Sequence, residues 1–105
     1  MITSGEGKHK IWLKSFEIGQ DIVYILGGGE KPHIGGTVLC EPGKKPQTIS
    51  LKHHRDIEVL EPIAKAACKK FNKTVVAVGG IHIDNASKKD IEIILENCKE
   101  LMSCI

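Results

Sequence analysis

The chain has 105 residues, with 15 Lys+Arg against 13 Asp+Glu, a net charge of +2 and 41% hydrophobic residues. This length and balance suit one compact domain and leave no room for two. Arg55 is the single arginine, and Trp12, Phe16, Tyr24 and Phe71 are the four aromatics. Such usage argues against a nucleic-acid reader, which relies on clustered arginine and stacking aromatics.

Residues 1–8 are polar and glycine-bearing, and read as a flexible leader or a short edge extension, ahead of a single domain over 9–105. His9 to Ile18 reads as a strand with Trp12, Phe16 and Ile18 on one face and Ile11 and Leu13 on the other. Gly19-Gln20 supplies a two-residue hairpin turn of type II′. The continuously apolar run Ile22 to Leu26 is expected to be a central strand covered on both faces. Gly27-Gly28-Gly29-Glu30-Lys31-Pro32 reads as a loop, and a third strand is expected from about His33 to Cys40.

Pro42-Gly43 fits the centre of a type II turn, closing a hairpin onto a weakly packed strand from Gln47 to Lys52. Helical spacing begins near Asp56, a plausible N-cap, with Ile57, Leu60, Ile63, Ala64, Ala67, Cys68 and Phe71 on one face. Pro62 predicts either a start near Glu61 or a kinked first turn. Thr74 to Val78 is a buried strand, extended through Gly79-Gly80 to Ile83. Ser87 and Asp90 then form a capping arrangement for a last helix running to about Cys104. The stripe of that helix (Ile91, Ile94, Leu95, Cys98, Leu101, Met102, Ile105) reads as core or dimer seam.

The order ββββαβα predicts an α+β fold, a mostly antiparallel five-stranded sheet with two helices on one face. Apolar residues of the first two strands remain for the other face. A bare layer of that kind calls for a partner, most simply a second copy in a homodimer or higher homo-oligomer. Cys40, Cys68, Cys98 and Cys104 show no C-x-x-C pair or zinc-finger spacing, and read as reduced cytosolic thiols. No signal-type segment and no apolar run near the roughly 20 residues of a membrane span is seen, so a cytoplasmic, membrane-free protein is expected.

Three segments could carry chemistry. In the first, Gly27 to Gly36, the glycines (Gly27, Gly28, Gly29, Gly35 and Gly36) can expose backbone N–H groups to a phosphate, with Lys31 and His33 supplying charge and hydrogen bonds. This loop joins strand to strand, without the helix of a dinucleotide fold or the ending of a P-loop. In the second, Gly79 to Asn85, His82 and Asp84 share one face of an extended segment, and Asn85 caps or orients. In the third, His53-His54-Arg55-Asp56, only one of the adjacent histidines can easily face a common site. A metal held by His33, one of His53/His54 and His82 is imaginable, although no local ligand spacing supports it. No catalytic triad or spaced carboxylate pair stands out, so catalysis by this chain is not indicated.

Gly28-Gly29 through Pro32-His33-Ile34-Gly35, the His54-Arg55-Asp56 junction and Gly80-Ile81-His82-Ile83-Asp84-Asn85 together resemble the LpdD-like family. The resemblance runs from about His9 to Leu101. That family is the small D subunit associated with gallate decarboxylase, described as a prenylated-flavin chaperone and similar in fold to proteasome assembly chaperones. The resemblance implies a non-catalytic accessory protein that binds prenylated FMN, or FMN, and assists maturation of a UbiD-type decarboxylase. It places Gly28, Gly29, His33 and Gly35 near one part of the ligand and His82, Asp84 and Asn85 near another; His54 belongs to the matching junction, and Lys31 suits the phosphate on its chemistry. Two other readings are a chaperone acting on a protein client and a small histidine-based metal-dependent enzyme.

Overall fold

The computed structural model describes residues 1–51 and 55–105. Six strands form one sheet: β1 (Ile2–Ser4), β2 (Ile11–Ile18), β3 (Asp21–Gly29), β4 (Gly36–Cys40), β5 (Gln47–Ser50) and β6 (Val75–His82). Helices α1 (Ile57–Phe71) and α2 (Lys88–Ser103) follow β5 and β6, and a 3-10 turn over Gly7–His9 precedes β2. The spatial order is β1-β2-β3-β6-β4-β5, with β3 and β6 parallel and the other neighbouring pairs antiparallel. The α+β class, the mostly antiparallel sheet and the two helices are as expected.

The sheet has six strands rather than five because Ile2–Ser4 pairs with Ser4 to Ile11 and Ile2 to Leu13. Within residues 1–8, the edge extension therefore describes the geometry. A second correction concerns Gly27 to Gly29, expected in a loop but forming the end of β3, paired with Gly80 to His82. Glycine is a weak strand former because it offers no side chain to pack. Here Trp12, the cross-strand partner of Gly27, lies across the missing side chain: a Cβ on Gly27 would sit 2.1 Å from Trp12 Cζ2. His33 to Gly35, expected in the third strand, precede β4.

One face of the sheet carries the core. Ile11, Leu13, Tyr24, Leu26, Val38, Cys40, Val75 and Ala77 pack there against Leu60, Ile63, Ala64 and Ala67 of α1 and Cys98 and Leu101 of α2. Both helices thus lie on this face, as their 3.6-residue apolar spacing requires. Helix α1 begins at Ile57 and contains Pro62. Three-residue bonds from Glu58 N–H to the Arg55 carbonyl and from Val59 N–H to the Asp56 carbonyl tighten its first turn. The four-residue bond from Leu60 N–H to the Asp56 carbonyl is already in place, so the helix does not wait for Glu61. Helix α2 opens on the expected capping box, with Ser87 Oγ accepting from Asp90 N–H and Asp90 Oδ2 accepting from Ser87 N–H.

The opposite face carries Trp12, Phe16, Ile18, Val23, Ile25, Val76, Val78, Leu39 and Ile49 by strand alternation. Phe16 is 52% exposed, and Ile18 and Ile49 are 65% exposed. First-strand coverage on both faces is thus uneven, because no helix among the described residues reaches the side that bears Phe16 and Ile18.

Candidate ligand site

Topology brings the chemistry-bearing segments together. Because β3 and β6 run parallel, their C-terminal ends, Gly29 and His82, lie side by side. Strand β4 starts beside Gly79, and β5 ends opposite that start, so His33 and the entry to α1 reach the same edge. Helix α2 begins there too, a few residues beyond β6.

Asp56 joins these ends. Its carboxylate is nearly buried, the residue being 7% exposed. Oδ1 accepts from Ile81 N–H at 2.9 Å, and Oδ2 lies 3.1 Å from His33 Nε2. The expected N-cap hydrogen bond from this side chain to its own helix is not made. Gly35 and Gly80 leave the space it occupies, since a Cβ on Gly35 would stand 1.9 Å from Asp56 Oδ2 and one on Gly80 would stand 2.9 Å from it. The His33 and His82 rings meet edge to face at 5.9 Å between centroids.

A second polar cluster surrounds Asp84. Its Oδ1 lies 2.9 Å from His82 Nε2, its Oδ2 lies 3.0 Å from Lys31 Nζ, and its N–H donates to Glu30 Oε1. Hydrogen bonding to Lys31 and then to His82 holds its carboxyl below the usual range. The carbonyl of His82 accepts from both Glu30 N–H and Lys31 N–H.

Beside this edge, a cleft of about 320 Å³ opens between the first turns of the two helices. Val59, Ile81, Ile83, Ile91, Ile94 and Leu95 make its apolar walls, and Asp56, His82 and Arg55 add polar atoms. Arg55 is bound to Glu58 Oε1 at 2.8 Å. Asp90 also lines the cleft, and its Oδ1 lies 2.8 Å from His9 Nε2 and 3.4 Å from Lys8 Nζ. The Ser87 backbone N–H and then His9 push the Asp90 carboxyl far down from its ordinary value.

Of the residues singled out from the sequence, Lys31, His33, Gly35, His82 and Asp84 converge at this edge. Gly28 and Gly29 lie inside the sheet, and Asn85 sits in the β6–α2 turn with φ of 51°. His53 and His54 lie outside the described residues. The expected phosphate cradle is not open: the amides of Gly29, Glu30, Lys31 and Gly35 all donate to backbone carbonyls, because the segment is partly strand. Among the described residues, no three His, Cys, Asp or Glu side chains group as a metal site.

Sequence reasoning missed the bridging role of Asp56 and the cleft wall on α2. Asp56 reads as an ordinary N-cap, and its further signals are its place between a strand end and a helix and its inclusion in the His54-Arg55-Asp56 junction that carries the resemblance. Ile91 and Leu95 belonged to a stripe wider than the core needs, yet they are 48% and 41% exposed. No helix among the described residues is long and apolar enough to cross a membrane.

Comparison with known proteins adds identity to this geometry. The family described as "Prenylated flavin chaperone LpdD-like domain" matches residues 5–105. Protein LpdD of Lactiplantibacillus plantarum is 27% identical over 79 residues, a match that covers 70% of this chain and 58% of that protein. The chain thus matches a little over half the length of this curated relative. With its match running over nearly every residue, the chain belongs to the prenylated flavin chaperone LpdD-like family.

Proposed function

We propose that this protein is a non-catalytic carrier of prenylated FMN, or of FMN itself, which assists maturation of a UbiD-type decarboxylase in the cytoplasm. One observation carries the reading in a chain of this family: an apolar cleft that borders a polar edge built from His33, Asp56, His82 and Asp84. Small-molecule sites typically combine apolar walls with a few convergent polar groups. Imidazole and carboxylate groups can hydrogen-bond the polar rim of an isoalloxazine, and Lys31 can turn from Asp84 toward a phosphate. Gly28, Gly29 and Gly35 admit close backbone packing around the site, while Asn85 and His54 flank it in sequence.

A second copy of the chain covers the bare sheet face in this reading. Phe16, Ile18 and Ile49 give that face an apolar surface, while Lys14 and Asp21 on it carry opposite charges that a two-fold axis can pair.

The test is native mass spectrometry of the protein purified after co-expression with a UbiX-type prenyltransferase. A dimer retaining the mass of prenylated FMN is expected. Substituting His33 or His82 by Ala is expected to weaken retention while the fold persists. A protein that stays free of flavin and co-purifies with a protein client would overturn the carrier reading in favour of protein assembly.

A further inference from the structure

In the N-terminal part of the apolar stripe on α2, Ile91 and Leu95 are not used by the core. Cys98 and Leu101 are 4% and 0% exposed and pack on the sheet, whereas Ile91 and Leu95, about two turns and one turn before Cys98, stand 48% and 41% exposed along the cleft. Val59 and Ile83 face them across the same space. At about 320 Å³, the cleft lies at the lower limit of ordinary small-molecule pockets, so it takes one portion of a flavin nucleotide rather than the whole. Its lining decides which portion. A ribityl phosphate would lose hydration there, because apolar side chains make most of the walls. Apolar carbons would gain by leaving water.

We infer that the cleft between α1 and α2 is a specificity subsite for the extra ring that prenylation fuses to the flavin. Ile91, Leu95, Val59 and Ile83 form its walls. This inference rests on the flavin-carrier reading and adds to it the basis of selection: the carrier tells modified from unmodified cofactor by burying five additional carbons. Asp56 and His82 at the polar side orient the flavin rim without discriminating between the two forms, since both forms present that rim.

About half of the transfer gain of five apolar carbons is realised in a cleft whose Ile91 and Leu95 side stays half-exposed. The expected preference is therefore about 30-fold, equivalent to about 2 kcal/mol at 1.4 kcal/mol per tenfold.

The experiment measures dissociation constants for FMN and for prenylated FMN with the full chain, and with the single variants Ile91→Ser and Leu95→Ser. Circular dichroism melting confirms that the variants remain folded, as is expected for half-exposed positions. Support requires about 30-fold tighter binding of prenylated FMN by the unsubstituted protein. In both variants that ratio should fall to within about threefold, chiefly through weaker binding of prenylated FMN. Equal affinity for the two flavins, or variants that lose both equally, would overturn the subsite while leaving the carrier reading in place. Binding of neither flavin by the unsubstituted protein would overturn the carrier reading, and the subsite with it.

Discussion

Replacing Gly35 by alanine adds a methyl group where the Asp56 carboxylate lies, 1.9 Å from Oδ2, 2.7 Å from Cγ and 3.0 Å from His33 Nε2. Gly35 has no positive φ, so alanine meets no backbone strain and the whole effect comes from the clash. The carboxylate must swing away. It is a short side chain in a nearly buried position, with Oδ1 bound to Ile81 N–H and Oδ2 bound to His33, so displacement breaks both contacts. A hydrogen bond to a charged group contributes roughly 1.5–3 kcal/mol, which puts the loss near ~4 kcal/mol. Lower entropy of the unfolded chain returns about 0.5–1 kcal/mol.

A net destabilisation of about 3 kcal/mol follows. In urea denaturation, a slope of roughly 2 kcal/mol/M turns this into a midpoint lower by about 1.5 M. The Asp56→Gly variant supplies the decisive comparison. Once the carboxylate is gone, the alanine methyl has room, so Gly35→Ala should add less than about 0.5 kcal/mol in that background. A single Gly35→Ala variant as stable as the parent would refute the reasoning. Costs that simply add in the double variant would refute it as well.

Three further outcomes are expected. Leu101→Ala empties a fully buried site and should lower stability by about 3 kcal/mol, whereas Ile91→Ala on the cleft wall of the same helix should lower it by under about 1 kcal/mol; equal losses in chemical denaturation would contradict this division of α2. The Asp90 carboxyl is held below its unfolded value, so its stabilisation is complete above the usual carboxylate range near pH ~4 and is lost as pH falls below it. The stability gap between parent and Asp90→Asn should therefore narrow from pH 6 to pH 2, and a constant gap across urea titrations would count against the Ser87 and His9 contacts. Burial, with a smaller contribution from Asp56, pushes the Cys98 thiol up to about 12, and burial also raises Cys40 and Cys68. A thiol reagent at pH 8 should modify exposed Cys104 quickly and the other three only on unfolding; a second fast thiol would oppose that burial pattern.

The candidate site was legible in outline. Glycine beside histidine in two separate segments pointed to a shared pocket, and His33 and His82 do meet edge to face. What could not be read was the hub. Asp56 is one acidic residue at a helix start, and its bond to the Ile81 amide exists only because α1 and β6 end at the same edge. The glycines themselves were misread as an open anion cradle. Their conformational freedom is visible in sequence, but whether an amide is already bonded depends on a neighbouring strand.

Local pattern by itself determined the helices, the hairpins and the capping box of α2, because those rest on residues a few positions apart. It also marked the surplus of apolar side chains on the second sheet face. Only the tertiary structure decided the rest. Placing β6 parallel to β3 and between β3 and β4 is a choice among long-range pairings, and no local periodicity encodes it. That pairing, with the Gly29 N–H donating to the Lys10 carbonyl beside β2 on the other side, holds Gly27 to Gly29 as strand and brings His33, Asp56 and His82 to one edge. It also leaves Ile91 and Leu95 facing a cleft instead of the core, since α2 must follow β6 across the end of the sheet.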